Sequence, residues 1–197
     1  MVSENLDIKT LITGAWEKAL HRALQTTGEE SRGQVHRDRS NAWVDCLGKG
    51  FQEKYQGEDQ LVFWRQNNSN KSEFRLSELL FDVSVCKVDE VQSIEKKKTL
   101  QFVSKCYWQV ESELNDSDSK EITKDFSKLV IGLSDDKLFV SSYQGARQEQ
   151  ILSMCSSIAR KCAGNLYMCF IEHPNKWKQN PAAPVVFRWD SDKWNPL

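Results

Sequence analysis

Three carboxylates, Asp82, Glu111 and Glu113, stand where strand geometry would gather them. Glu111 and Glu113 are two apart in YWQVESEL, and side chains two apart on a strand project to the same side. Asp82, in ELLFDVSV, shares the polar side of its own segment with Glu78 and Ser84. A hard divalent cation such as Mg²⁺ or Mn²⁺ takes a few carboxylates, keeps several waters and leaves positions open for phosphate oxygens. If the two segments pair, Asp82 and Glu111 hold one ion, while Glu113 binds a second or accepts a proton from an attacking water. The corresponding chemistry is metal-assisted, in-line hydrolysis of a phosphodiester without a covalent intermediate. Three neighbouring carboxylates repel one another, so without metal at least one should have a raised pKa. The same spacing also fits three exposed acids on the polar faces of amphipathic strands.

The elements that must position these groups follow from hydrophobic period. Ile8, Ile12, Ala15, Trp16, Ala19, Leu20 and Ala23 define one face of a helix over residues 5–24. Residues 25–39 are polar, glycine-containing and aperiodic and read as a loop, whose His36, Arg37 and Arg39 could touch phosphates. Trp43, Leu47, Phe51 and Tyr55 give a second helix over 40–56, with Gly48 and Gly50 lowering its propensity. Residues 60–66 read as a strand. Alternation over 76–88 puts Leu79, Phe81, Val83 and Val85 on one face of a strand and Asp82 on the other. After a charged turn at 88–98, a strand over 100–114 carries Phe102, Cys106, Trp108, Val110 and Leu114 on one face. Its other face carries Tyr107, Gln109, Glu111 and Glu113.

Asp118 followed by Glu121 is a capping box, and Ile122, Phe126, Leu129, Val130 and Leu133 continue it at helical spacing. A strand at 137–142, a helix through Ile151, Cys155, Ile158, Ala159 and Cys162 stopped by Gly164, and a buried strand at 165–172 follow. One more strand is expected at 185–189. This order implies an α/β fold, a mixed central β-sheet flanked by helices on both faces. A single domain over 1–197 is expected, with N-terminal helices (1–58), a core (59–172) and a C-terminal extension (173–197).

With Asp82 and Glu111-Ser112-Glu113 in that order of elements, the chain resembles the PD-(D/E)XK restriction-endonuclease-like superfamily, in a Glu-x-Glu variant. That superfamily has an αβββαβ core, an acidic residue on its second strand and Glu-x-Lys on its third. The likeness covers residues 40–142, and reaches 172 if the later helix and strand are the usual extension. Phe81 stands where the family often has Pro, and Glu113 where it usually has Lys. The resemblance implies a metal-dependent DNA endonuclease with Asp82, Glu111 and Glu113 as catalytic and metal-binding residues, Mg²⁺ or Mn²⁺ as cofactor, and a homodimer as the cutting unit. It also implies an acid from the early helix, for which Asp45, Glu53 and Glu17 are candidates. Lys105, Lys120, Lys124 or Lys128 could replace the missing cation. A non-catalytic DNA-binding or protein-interaction module on the same fold, in a defence or mobile-element system, is the alternative, because fold does not fix function.

Other features restrict the function further. Twenty-seven Lys and Arg against 28 Asp and Glu leave a net charge of -1, so a nucleic-acid partner would have to meet a local basic face. Lys176-Trp177-Lys178 offers one such place, a backbone-phosphate contact flanking an aromatic that could stack on a base, and Arg188-Trp189 and Lys193-Trp194 repeat the pairing. The alternative is that these aromatics anchor the C-terminal tail. Six Cys at 46, 86, 106, 155, 162 and 169 show no Cys-x-x-Cys spacing and read as buried free thiols. Glycine-rich phosphate loops, Gly-x-Ser-x-Gly and His-Glu-x-x-His are absent, which argues against a nucleotide cofactor, a serine hydrolase and a zincin. Without a signal-like start or a long apolar run, the expectation is a cytoplasmic protein with no membrane partner.

Overall fold

A computed structural model describes residues 2–25, 31–95, 97–115, 118–143 and 147–197. Two long helices, α1 (Val2–Gln25) and α2 (Arg32–Tyr55), precede β1 (Gln60–Trp64) and a short helix α3 (Asn68–Glu73). Strands β2 (Val83–Ser93) and β3 (Lys98–Glu113) follow, then α4 (Ser119–Ile131), β4 (Ser134–Tyr143), α5 (Arg147–Ala159) and β5 (Asn165–Glu172). A one-turn 3₁₀ helix at Pro174–Lys176 leads to β6 (Val185–Asp190) and β7 (Lys193–Pro196).

The seven strands form one mixed sheet in sequential order. β1, β2 and β3 are antiparallel neighbours, β3, β4 and β5 are parallel, and β5, β6 and β7 are antiparallel again. Parallel neighbours need a long crossover, and α4 and α5 supply the two. Both pack on the same face, where Ile122, Phe126, Leu129, Ile151 and Cys155 meet Phe139, Met168 and Phe170. On the opposite face Ile12, Trp16, Trp43, Leu47 and Phe51 of α1 and α2 cover Val62, Val83, Val85, Trp108, Val110 and Val140. The expected mixed sheet with helices on both sides is therefore present. The C-terminal segment belongs to it, since β6 pairs with β5 from Phe170↔Val185 to Tyr167↔Arg188.

Several local expectations change. α2 begins at Arg32, so His36, Arg37 and Arg39 lie on a helix and not in a loop. Its first turns are held by polar bonds that hydrophobic period cannot reveal: the Ser31 hydroxyl caps Gln34 N–H, and Gln34 donates to Asp38 one turn on. Gly48 costs helix propensity, but a Cβ there would lie 2.5 Å from the Trp64 ring, so its absence lets α2 approach β1.

β2 starts at Val83, not at 76, and continues to Ser93, so the expected turn within 88–98 is confined to the residues between Ser93 and Lys98. Phe81 is buried, but with Ile122 and Phe126 and not with Val83 and Val85, so the alternation expected from Leu79 to Val85 does not mark a single face. The charges beyond Val88 are instead those of a hairpin solvated at its outer end, as the Lys87–Asp89 ion pair illustrates.

β3 carries register shifts opposite Val85/Cys86 and Lys87/Val88. The first pairs Val85 with Trp108 but Cys86 with Cys106, leaving Tyr107 as the extra residue. A bulge of one residue reverses the alternation. Trp108 thus packs under α2, while Cys106 joins Phe63, Cys86 and Val88 on the other face, contrary to the shared face expected for Cys106 and Trp108.

Candidate functional site

The three acids singled out from the sequence meet at one end of the sheet. Asp82 lies immediately before β2 and Glu111 and Glu113 at the end of β3; because Val83 pairs with Val110, the antiparallel ladder brings Asp82 alongside Glu111 and Ser112. Asp82 Oδ2 accepts the Ser112 N–H at 2.8 Å. That bond fixes the carboxylate without needing Asp82 to be in the ladder, which corrects its expected place on a strand. Ser112, on the reverse face, accepts the Trp43 indole N–H at 3.1 Å and ties this end of β3 to α2.

Glu111 is 3% exposed. Its Oε2 accepts Lys128 Nζ at 3.0 Å, and its Oε1 is buried with no hydrogen-bond partner among the described residues. Lys128, on α4, also pairs with Asp125 at 2.9 Å. Glu113 Oε1 accepts the Asn115 N–H at 2.6 Å, and its carboxyl is in hydrogen-bonding contact with Asp125. Of the four lysines considered as the missing cation, Lys128 is the one at the site. Lys105 pairs with Asp135 and Lys124 with Glu121, while the Lys120 backbone serves the Asp118 cap of α4.

The electrostatics are those of crowded, dehydrated acids. Burial lifts Asp82 to about 6, against the opposing Ser112 hydrogen bond and the charge of Lys128. Burial first, then the neighbouring Asp82 charge, lift Glu111 to about 8, outweighing its bond to Lys128. Glu113 is raised as well, chiefly by burial. On the lysine side burial works toward a lower pKa, but the bonds to Asp125 and Glu111 prevail and keep Lys128 charged.

An unpartnered, buried carboxylate oxygen beside a second carboxylate is a place for a positive charge, either a proton or a cation. Mg²⁺ is commonly held by one or two carboxylates with water completing its shell, so Asp82 and Glu111 fit it. Among the described residues no group of three or more Asp, Glu, His or Cys is arranged to hold a metal ion. Glu113, turned toward Asn115 and Asp125, is thus not a third ligand in this arrangement, contrary to the three-carboxylate metal set expected from the sequence.

A cleft of about 400 Å³ opens beside these groups, lined by His36, Arg37 and Ser40 of α2 together with Asp82, Ser112 and Glu113. His36 lies 3.4 Å from the Leu114 carbonyl, and its ring is 5.2 Å from that of His173. Asp125 was missed by sequence reasoning, and His36 and Arg37, read as phosphate contacts, were placed in a loop and not on α2. Asp125 and Lys128 look like a solvated helix face, and the start of α2 lacks apolar period.

Two further expectations are corrected. Trp177 cannot stack on a base: it is 1% exposed, its ring meets Trp16 at 4.9 Å edge-on, and its N–H is used by the Glu172 carbonyl at 2.6 Å. Lys176 and Lys178 beside it are exposed. The early-helix acids also stay away from the cleft. Asp45 is held by Arg22, Lys49 and the Trp64 indole, Glu53 pairs with Lys18, and Glu17 is exposed on α1.

No helix among the described residues is long and apolar enough to cross a membrane. No protein-family model matches the chain, and no curated protein sequence is significantly similar to it.

Proposed function

We propose that this chain is a Mg²⁺-dependent DNA endonuclease of the PD-(D/E)XK, restriction-enzyme-like kind, in a Glu-x-Glu form, working in the cytoplasm as a homodimer. The observation that carries the reading is the meeting of Asp82, which lines an open cleft, with the buried, half-partnered Glu111 carboxylate beside Lys128. The order α2, β1, β2, β3, α4, β4, with β4 parallel to β3, supports it.

In this reading Asp82 and Glu111 hold the ion, which supplies Lewis-acid polarisation of a phosphoryl oxygen and eases deprotonation of the attacking water. Glu113, whose raised pKa suits a general base, accepts that water's proton. Lys128 favours the ionised form of Glu111, without overcoming the burial that raises its pKa, and provides a positive charge near the transferred phosphoryl group. Arg37 and His36 form the wall across the cleft from the acids and contact the flanking phosphates.

A second reading, a non-catalytic DNA-binding or protein-interaction module of a defence or mobile-element system, draws on the Lys128–Glu111 pair itself. A lysine that already neutralises the buried acid makes a metal less necessary. The two are separated by incubating purified protein with plasmid, linear duplex and single-stranded DNA in Mg²⁺ or Mn²⁺, with EDTA controls. Cleavage that EDTA abolishes supports the nuclease. DNA bound but left uncut in both metals supports the module.

A further inference from the structure

We propose that Cys86 and Cys106 form a peroxide-sensitive dithiol that closes to a cross-strand disulfide, independently of the nuclease reading. Both are free thiols, and they are register partners on the antiparallel β2–β3 ladder. Opposed residues of such a pair have Cα atoms about 4.5–5.5 Å apart, within the roughly 4.4–6.8 Å that disulfides span. The bulge at Tyr107 matters here, because it turns Cys106 to the face that Cys86 occupies. The two thiols lie close enough to shift each other's ionisation in opposite directions, and the Cys106 thiol donates to the Trp108 carbonyl at 3.2 Å.

The pair is asymmetric. Cys106 is partly exposed, and its thiolate is favoured first by the adjacent Cys86 thiol and also by the charge of Lys137 from β4, against burial and Asp135. Cys86 is buried, and its pKa is raised by the adjacent Cys106 thiol and by dehydration. Cys106 is therefore the attacking sulfur and Cys86 the resolving one. The Cys106 thiolate attacks one oxygen of a hydroperoxide, the O–O bond breaks, and the departing alkoxide or hydroxide takes up a proton, leaving Cys106 as the sulfenic acid. Cys86 sulfur then attacks Cys106 sulfur, its proton and the hydroxyl leave as water, and the S–S bond forms. Both electrons pass from the two sulfurs to the peroxide.

Peptide mapping of the full chain after hydrogen peroxide treatment, with thiols blocked before digestion, tests this. The result expected is a linked Cys86–Cys106 peptide as the main product, and a higher melting temperature of oxidised protein that dithiothreitol reverses. Cys86→Ser should stop the link and leave a dimedone-reactive Cys106, with unchanged near-ultraviolet circular dichroism to certify its fold. Cys162, also partly exposed, is the internal comparison. Peroxide that leaves Cys86 and Cys106 free, or that oxidises Cys162 as fast as Cys106, would overturn the proposal.

Discussion

Lys128 of α4 donates to Glu111 of β3 at 3.0 Å, joining the half-exposed cation of a crossover helix to a carboxylate that is 3% exposed. The contact places a positive charge beside the acids gathered at the end of β3. Lys128→Ala should destabilise the protein by about 1–2 kcal/mol above neutral pH, well below the cost of breaking a fully buried pair because this lysine is partly solvated. Urea titrations near pH 6 should show a smaller loss, since Glu111 can then take up a proton.

Glu111 gives the metal-free protein a characteristic pH response. Its pKa rises from 4.5 in the ordinary state to about 8 in the fold, through burial and Asp82. Between those values the folded chain holds more proton than the unfolded one, so stability falls as pH rises through that window. Asp82, raised to about 6, acts in the same direction over the lower part of it. Glu111→Gln should flatten the decline, and melting temperatures recorded across that range with EDTA present read it directly.

Mg²⁺ should reverse the decline, because a ligand that binds only the folded protein stabilises it, by about 2.7 kcal/mol at a hundredfold excess over Kd. The gain should be larger at about pH 8.5 than at pH 6.5, where protons compete for the same carboxylates. Asp82→Asn should lose most of it. A Mg²⁺ shift in melting temperature that is equal at both pH values would place the ion elsewhere.

Trp177 should matter for stability and not for DNA contact. It packs against Trp16, so Trp177→Ala should cost about 3–5 kcal/mol in chemical denaturation. Lys176→Ala and Lys178→Ala should leave stability within about 0.5 kcal/mol and reduce the salt dependence of DNA binding.

Much of this arrangement was legible in the sequence because it rests on side-chain period. The Asp118 cap of α4 is made as expected, with bonds to the Lys120 and Glu121 amides, and Ile122, Phe126 and Leu129 are buried below it. Gly164 follows α5 with φ 80, where a Cβ would lie 2.4 Å from the Asp135 carbonyl. The face of Glu111 and Glu113 was likewise readable from alternation in β3. What escaped depends on features that period does not carry. The bulge at Tyr107 shifts Cys106 across the sheet by adding one residue. The polar first half of α2 is fixed by hydrogen bonds, and the pairing of Trp177 with Trp16 joins residues remote in sequence. Asp125 entered the site because α4 packs across β3, and only the third dimension distinguishes it from a solvated acid.

The most direct test of the central claim compares DNA cleavage in Mg²⁺ by the wild-type chain and by Asp82→Ala and Glu111→Ala variants whose melting temperatures show them to be folded. The expected result is EDTA-sensitive cleavage by the wild type and a loss of about a hundredfold or more in each variant, at least the effect of disturbing a metal's supporting residues. Cleavage that persists undiminished in both folded variants would contradict it, since the acids gathered at the end of β3 would then have no part in the chemistry.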